Sequence, residues 1–180
     1  MEIGELTNIA HEKPIFAFEC SVQHQDLQVE WKRCNMLANY LAEYAAYQFP
    51  QRERAENLIS TIANEILEAI TRMAAGDNDS AAMLLRCSQY PGGLLLEVNH
   101  HLRAETATPY RVFLEEICQG KNDDLYLNLL TGDEIPAIPF NQFGLTMLIH
   151  DFGVQLSAHI DESGQIACTR VFIPTQELSA

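Results

Sequence analysis

By type and spacing, the residues best suited to chemistry are Asn64, Glu65 and Glu68, in the string Asn64-Glu-Ile-Leu-Glu-Ala69. On a helix, Glu65 and Glu68 stand three apart and Asn64 and Glu68 four apart, so the polar set shares one flank. A carboxylate there can act as general base if a pocket lies beside it and its pKa suits. Spacing alone favours a plainer reading, a solvated helix edge. The histidines offer less. His100 and His101 are neighbours, so on a strand they point to opposite faces and cannot share one ion. No His, Cys or Asp spacing matches a zinc site, and no metal is expected. His150-Asp151 invites a hydrolase reading, but no serine or cysteine sits in a nucleophile elbow, so the pair reads as the end of a helix before Gly153.

These residues must be positioned by regular elements. Arg52 to about Ala75 is the strongest helix, with Ala55, Leu58, Ile59, Ile62, Ile66, Ile70 and Met73 at steps of three or four and Gly76 as its stop. Upstream, Ile15–Val22 reads as a strand and Asp26 to Phe49 as one helix with Met36, Leu37, Tyr40, Leu41 and Tyr44 on its apolar face. Tyr40, Tyr44 and Tyr47 form a stripe expected in the core, with a homodimer interface as the sharper alternative. Trp31 is expected to dock that helix, and Cys34 to be buried. Gly-Asp-Asn-Asp-Ser (76–80) is a turn. Ala82–Tyr90 and Leu94–Val98 form a hairpin about Pro91-Gly92-Gly93. Helices are expected over Pro109–Cys118, Leu125–Leu130 and Leu145–Phe152, with loop from Gly132 to Pro139. A final hairpin pairs Val154–Ile160 with Gln165–Ile173.

The whole reads as an α+β two-layer sandwich, helices over one face of a mostly antiparallel sheet. It is one domain over 1–180, with residues 1–50 as an N-terminal strand and helical extension. Acidic side chains number 25 against 11 Lys and Arg, for a formal net charge of −14. No cluster of cations exists to neutralise phosphates, which argues against nucleic acid and against an anionic membrane surface. The start of the chain has no secretory pattern, and no apolar run is long enough to span a bilayer. Five scattered cysteines without a CxxC pair read as reduced and mostly buried. Together these features point to the cytoplasm.

Several strings resemble a bacterial family common in cyanobacteria and related to the SiaB kinases, built like the GHKL (Bergerat-fold) ATPase domain. They are Trp31-Lys-Arg-Cys34 with Ala38-Asn-Tyr-Leu-Ala-Glu-Tyr44, Arg54-Ala-Glu56, Ile62-Ala-Asn-Glu-Ile-Leu-Glu68 and Gly144-Leu-Thr-Met-Leu-Ile-His-Asp-Phe-Gly153. The resemblance runs from Trp31 to the C-terminus and implies a Bergerat-like sandwich with an extra N-terminal helix. It puts Glu65 at the position of the catalytic glutamate on the N-box helix. The magnesium-binding asparagine one turn later is replaced by Ala69, which offers a hard cation no oxygen. Asn99 stands in for the adenine-reading acid without the glycines that should follow. The phosphate lid is reduced to Gly144 behind Phe143, where close backbone approach needs glycine. The resemblance thus implies a signalling regulator that binds a partner protein, with nucleotide binding weak or lost. Glu65 is then the candidate catalytic residue, and Asn64, Glu68, Asn99 and Gly144 line a vestigial cofactor pocket. The alternative is an active ATP- and magnesium-dependent protein kinase, with Glu65 as base and Glu68 or Asn64 supplying the metal ligand.

Overall fold

The computed structural model describes residues 1–4, 6, 9, 13–73, 82–131 and 140–179. Among them lie six strands in a single antiparallel sheet. In chain order they are β1 (Glu2–Ile3), β2 (Phe16–Gln23), β3 (Ala82–Tyr90), β4 (Gly93–His101), β5 (Gln155–Ile160) and β6 (Ile166–Pro174), arranged β1-β5-β6-β4-β3-β2. The helices are α1 (His24–Val29), α2 (Trp31–Ala46), α3 (Arg52–Met73), α4 (Ala104–Cys118), α5 (Asn122–Thr131), α6 (Gln142–Phe152) and α7 (Thr175–Ser179). The expected α+β sandwich is observed.

Strand alternation assigns the faces. Leu94, Leu96 and Val98 on β4 are buried in register with Ile173, Val171 and Thr169 on β6 and with Gln89, Cys87 and Leu85 on β3. This is the helix-covered face. The other face carries ion pairs in a row, Arg170 with Glu2 and Glu97, and Arg86 with Glu19. Gly93 lies there because Phe172 packs over it; a Cβ would sit 2.7 Å from the Phe172 ring.

α3 lies at the centre of the helix layer. Its buried residues include Ala55, Ile59, Ile62, Ala63, Ile66, Leu67, Ala69, Ile70 and Met73, wider than one stripe because α2 and α6 cover its flanks. α2 meets it through Ala38, Leu41, Ala42, Ala45 and Ala46, small residues that let two helices approach closely.

Several expectations are corrected. The single helix over 26–49 is two, because Glu30 is extended (φ −140°, ψ 98°) and its carbonyl accepts from Arg33 N to start α2. The apolar face assigned to α2 is rotated. Met36 and the three tyrosines Tyr40, Tyr44 and Tyr47 are exposed rather than core. Cys34 is buried as expected, while the Trp31 side chain lies outside the described residues. α4 starts at Ala104, not Pro109, because Arg103 N donates to Met73 O and the Thr106 hydroxyl bonds Met73 O and Arg103 O, fixing its first turn against the end of α3. The 76–80 turn and the 132–139 loop lie outside the described residues. Both hairpins match, with β4 extended to His101, while β1, α5's first turn and α7 were not legible. No described helix is long and apolar enough to cross a membrane.

Candidate functional site

Glu65 projects from the middle of α3 towards the start of α6, and the contact depends on two residues. Asn141 is the N-cap of α6: its Oδ1 accepts from Gly144 N at 3.0 Å, filling one of the free amides of a helix start. The Nδ2 of the same side chain donates to Glu65 Oε2 at 3.3 Å. Gly144 makes the approach possible. A Cβ there would run into the Glu65 carboxylate and lie 2.6 Å from Asn141 Nδ2. Glu65 and Gly144 are therefore brought together, and Asn141 links them. A carboxylate at this position also faces the positive end of the α6 dipole.

Glu65 is half-buried. Burial pushes its pKa up, the neighbouring Glu68 adds to that, and Arg72 opposes it. Glu68 is itself clamped one turn on, its Oε1 2.6 Å from Arg72 Nη2 with only 15% of its side chain exposed. The flank is thus neither fully solvated nor an open pair of acids. Asn64, the third member, keeps a buried Oδ1 with no hydrogen-bond partner among the described residues.

Asn99 is not part of this group. It pairs with Leu84 and Cys168 on β4, between Val98 and His100, which are both buried on the helix side. Its side chain therefore belongs to the opposite face of the sheet from Glu65. The helix-side position at that end of β4 is taken by His100, whose Nε2 lies 2.9 Å from Thr169 Oγ1, itself 2.8 Å from the Tyr110 hydroxyl. Burial drives the His100 pKa down to about 4, so the ring is neutral near pH 7 and satisfies the core instead of binding a cation. His101 is exposed on the other face, as alternation requires.

The positions to which the resemblance assigns a magnesium-bound nucleotide do not offer it ligands. Ala69 is fully buried, so the position one turn after Glu65 packs in the core. The Glu68 carboxylate is engaged by Arg72, and among the described residues no three His, Cys, Asp or Glu converge on one point. Four of the cysteines are not activated either. Burial pushes the thiols of Cys34, Cys118 and Cys168 up, and that of Cys87 to about 12, all away from the reactive thiolate. His150 Nδ1 meets Asp151 Oδ1 at 2.7 Å in the last turn of α6, where Gly153 (φ 59°) caps the helix and Tyr126 stacks on the imidazole.

Sequence reasoning missed Asn141, Thr169 and the buried role of His100, which it weighed only as a metal ligand. Asn141 had a signal, since Asn-x-x-Gly ahead of an apolar run is a helix start with its cap. The His100–Thr169–Tyr110 chain had none, because it joins residues brought together only by strand pairing and by the packing of α4. No family model matches this chain, and no curated protein matches it.

Proposed function

We propose that this protein is a signalling regulator that works by binding a partner protein on a GHKL-like frame, with nucleotide binding weak or lost. The observation that carries the reading is the engagement of Glu65. One oxygen of its carboxylate accepts from Asn141 at the start of α6, beside Gly144, which favours a packing role over presentation to an attacking group. Burial of Ala69 and the placement of Asn99 on the far face support it further, since both remove contacts that a nucleotide would need. An acidic chain of net charge −14 suits a neutral or basic partner surface and speeds the encounter at low salt.

The test is thermal melting with Mg-ATP raised into the millimolar range. The expected result is an unchanged midpoint. Binding would instead add about 2.7 kcal/mol of stability at a hundred times the dissociation constant. A clear rise, together with transfer of the γ-phosphate to a protein hydroxyl, would replace the regulator by an active kinase.

A further inference from the structure

Two features without a partner among the described residues lie on the same side of the molecule. β2 is the last strand of the sheet, eight residues long and bonded only to β3 among the described residues. Directly above it, α2 exposes Met36 (61%), Tyr40 (57%), Tyr44 (51%) and Tyr47 (64%), and a shallow depression of about 230 Å³ opens among Tyr40, Glu43, Tyr44 and Tyr47. Tyr44 meets Phe16 and Phe18 of β2, and Tyr40 meets Phe18, with ring centroids 5.8–5.9 Å apart. Helix and strand edge therefore form one continuous apolar strip.

We propose that this strip is the contact between two copies of the chain, related by a two-fold axis perpendicular to the sheet. β2 would pair antiparallel with the β2 of the second copy, and α2 would lie against the second α2. The inference is independent of whether nucleotide binds. Charge complementarity on α2 picks out a second copy as the occupant. At about 100° per residue, Lys32 and Glu43 share the solvent-side flank of α2, Met36, Tyr40 and Tyr47 point sideways, and Tyr44 leans towards β2. A two-fold axis perpendicular to the sheet keeps upper flank beside upper flank, so in antiparallel helices Lys32 of each copy meets Glu43 of the other. The midpoint of that pair lies between Leu37 and Ala38. The strand agrees. Because Phe18 meets Tyr40 and Tyr44 equally closely and so lies beneath the turn midway between them, and two residues of strand span as much as roughly four of helix, Cys20 lies beneath the same midpoint. One axis thus centres both layers.

Size and charge also fit. A 16-residue helix over an eight-residue strand makes a strip roughly 25 Å long. At two layers tall that is about 500 Å² per copy, near the ~1,000 Å² total of a specific contact. The charges at the strip are Lys32, Glu43 and Arg52, the last lying over the Tyr47 ring and 3.9 Å from Glu43 in the same chain, and repulsion between the two acidic bodies is screened beyond about 8 Å at physiological salt.

Sedimentation equilibrium of the full chain from about 1 to 100 μM should show a dimer. Glu43→Lys and Lys32→Glu, each alone, should weaken it about tenfold or more by setting like charges against each other at both ends. Mixing the two variants in equal amounts should restore it, because both contacts in the heterodimer are then opposite in sign. In a Cys118→Ser, Cys168→Ser background, mild oxidation should link the copies through Cys20, and Cys20→Ser should abolish the link. A monomer at every concentration, or a dimer that neither charge variant weakens and that Cys20 does not link, would overturn the proposal and give this face to a different partner.

Discussion

At the scale of single residues, Glu65 and Gly144 act as one unit. Gly144→Ala should cost about 1–3 kcal/mol through crowding, less the roughly 1 kcal/mol that alanine gains over glycine in a helix. In a Glu65→Ala background the same change should be neutral or stabilising, and urea denaturation of the four proteins reads this coupling directly. The raised pKa of Glu65 sets the direction of its pH dependence. Ionisation is harder in the folded state than in the unfolded chain, so its contribution is full below the ordinary carboxylate range and declines as pH rises through the folded value. Glu65→Gln should therefore compare more favourably with wild type at pH 7 than near pH 4, and a difference that does not change with pH would contradict this. His100 runs the other way. Its pKa is lowered to about 4, so its contribution is present above the ordinary histidine range and is lost as pH falls from about 6.5 towards 4. The shift corresponds to about 3 kcal/mol. His100→Gln should flatten stability over that interval in pH-dependent urea melts.

At the scale of elements, α3 was legible and α2 was not, for the same physical reason. The isoleucines of α3 recur at helical spacing and all face inward, so period alone identifies the buried side. On α2 Met36, Tyr40 and Tyr44 are exposed, and apart from Cys34 and Leu41 the buried side is made of Ala38, Ala42, Ala45 and Ala46, which hydrophobic size ranks low. Close helix packing selects small residues, and a pattern read by bulk turns the helix the wrong way. Ala42→Leu should accordingly cost about 1–3 kcal/mol by overpacking. On α3, Ala69→Asn should destabilise by about 1–3 kcal/mol by burying an amide without a partner, and it should not create a magnesium site. Calorimetry with and without magnesium distinguishes the two results.

At the scale of the whole molecule, the sandwich class and both hairpins could be read from alternation and turn residues, but the order of strands could not. β1 and β2 are the first two strands in sequence and end on opposite edges, a placement that depends on long-range pairing and leaves no local signal. The candidate site shares that limit. Two strands and two helices, β3, β4, α4 and α5, lie between Glu65 and Gly144 in sequence, yet the two residues come together, while Asn99, on β4, faces away. Amide exchange should follow the order of strands, with β4 and β6 slowest and β1 fastest; equal protection across the sheet would contradict the arrangement.

The fit of α6 against α3 also constrains how this sequence can drift. A larger residue at position 144 displaces the long acid at position 65, and a shortened side chain at 65 leaves room that a methyl at 144 would fill. Among descendants of this chain the two positions should change as a pair, small with long or larger with short, even though 78 residues of unrelated chain lie between them.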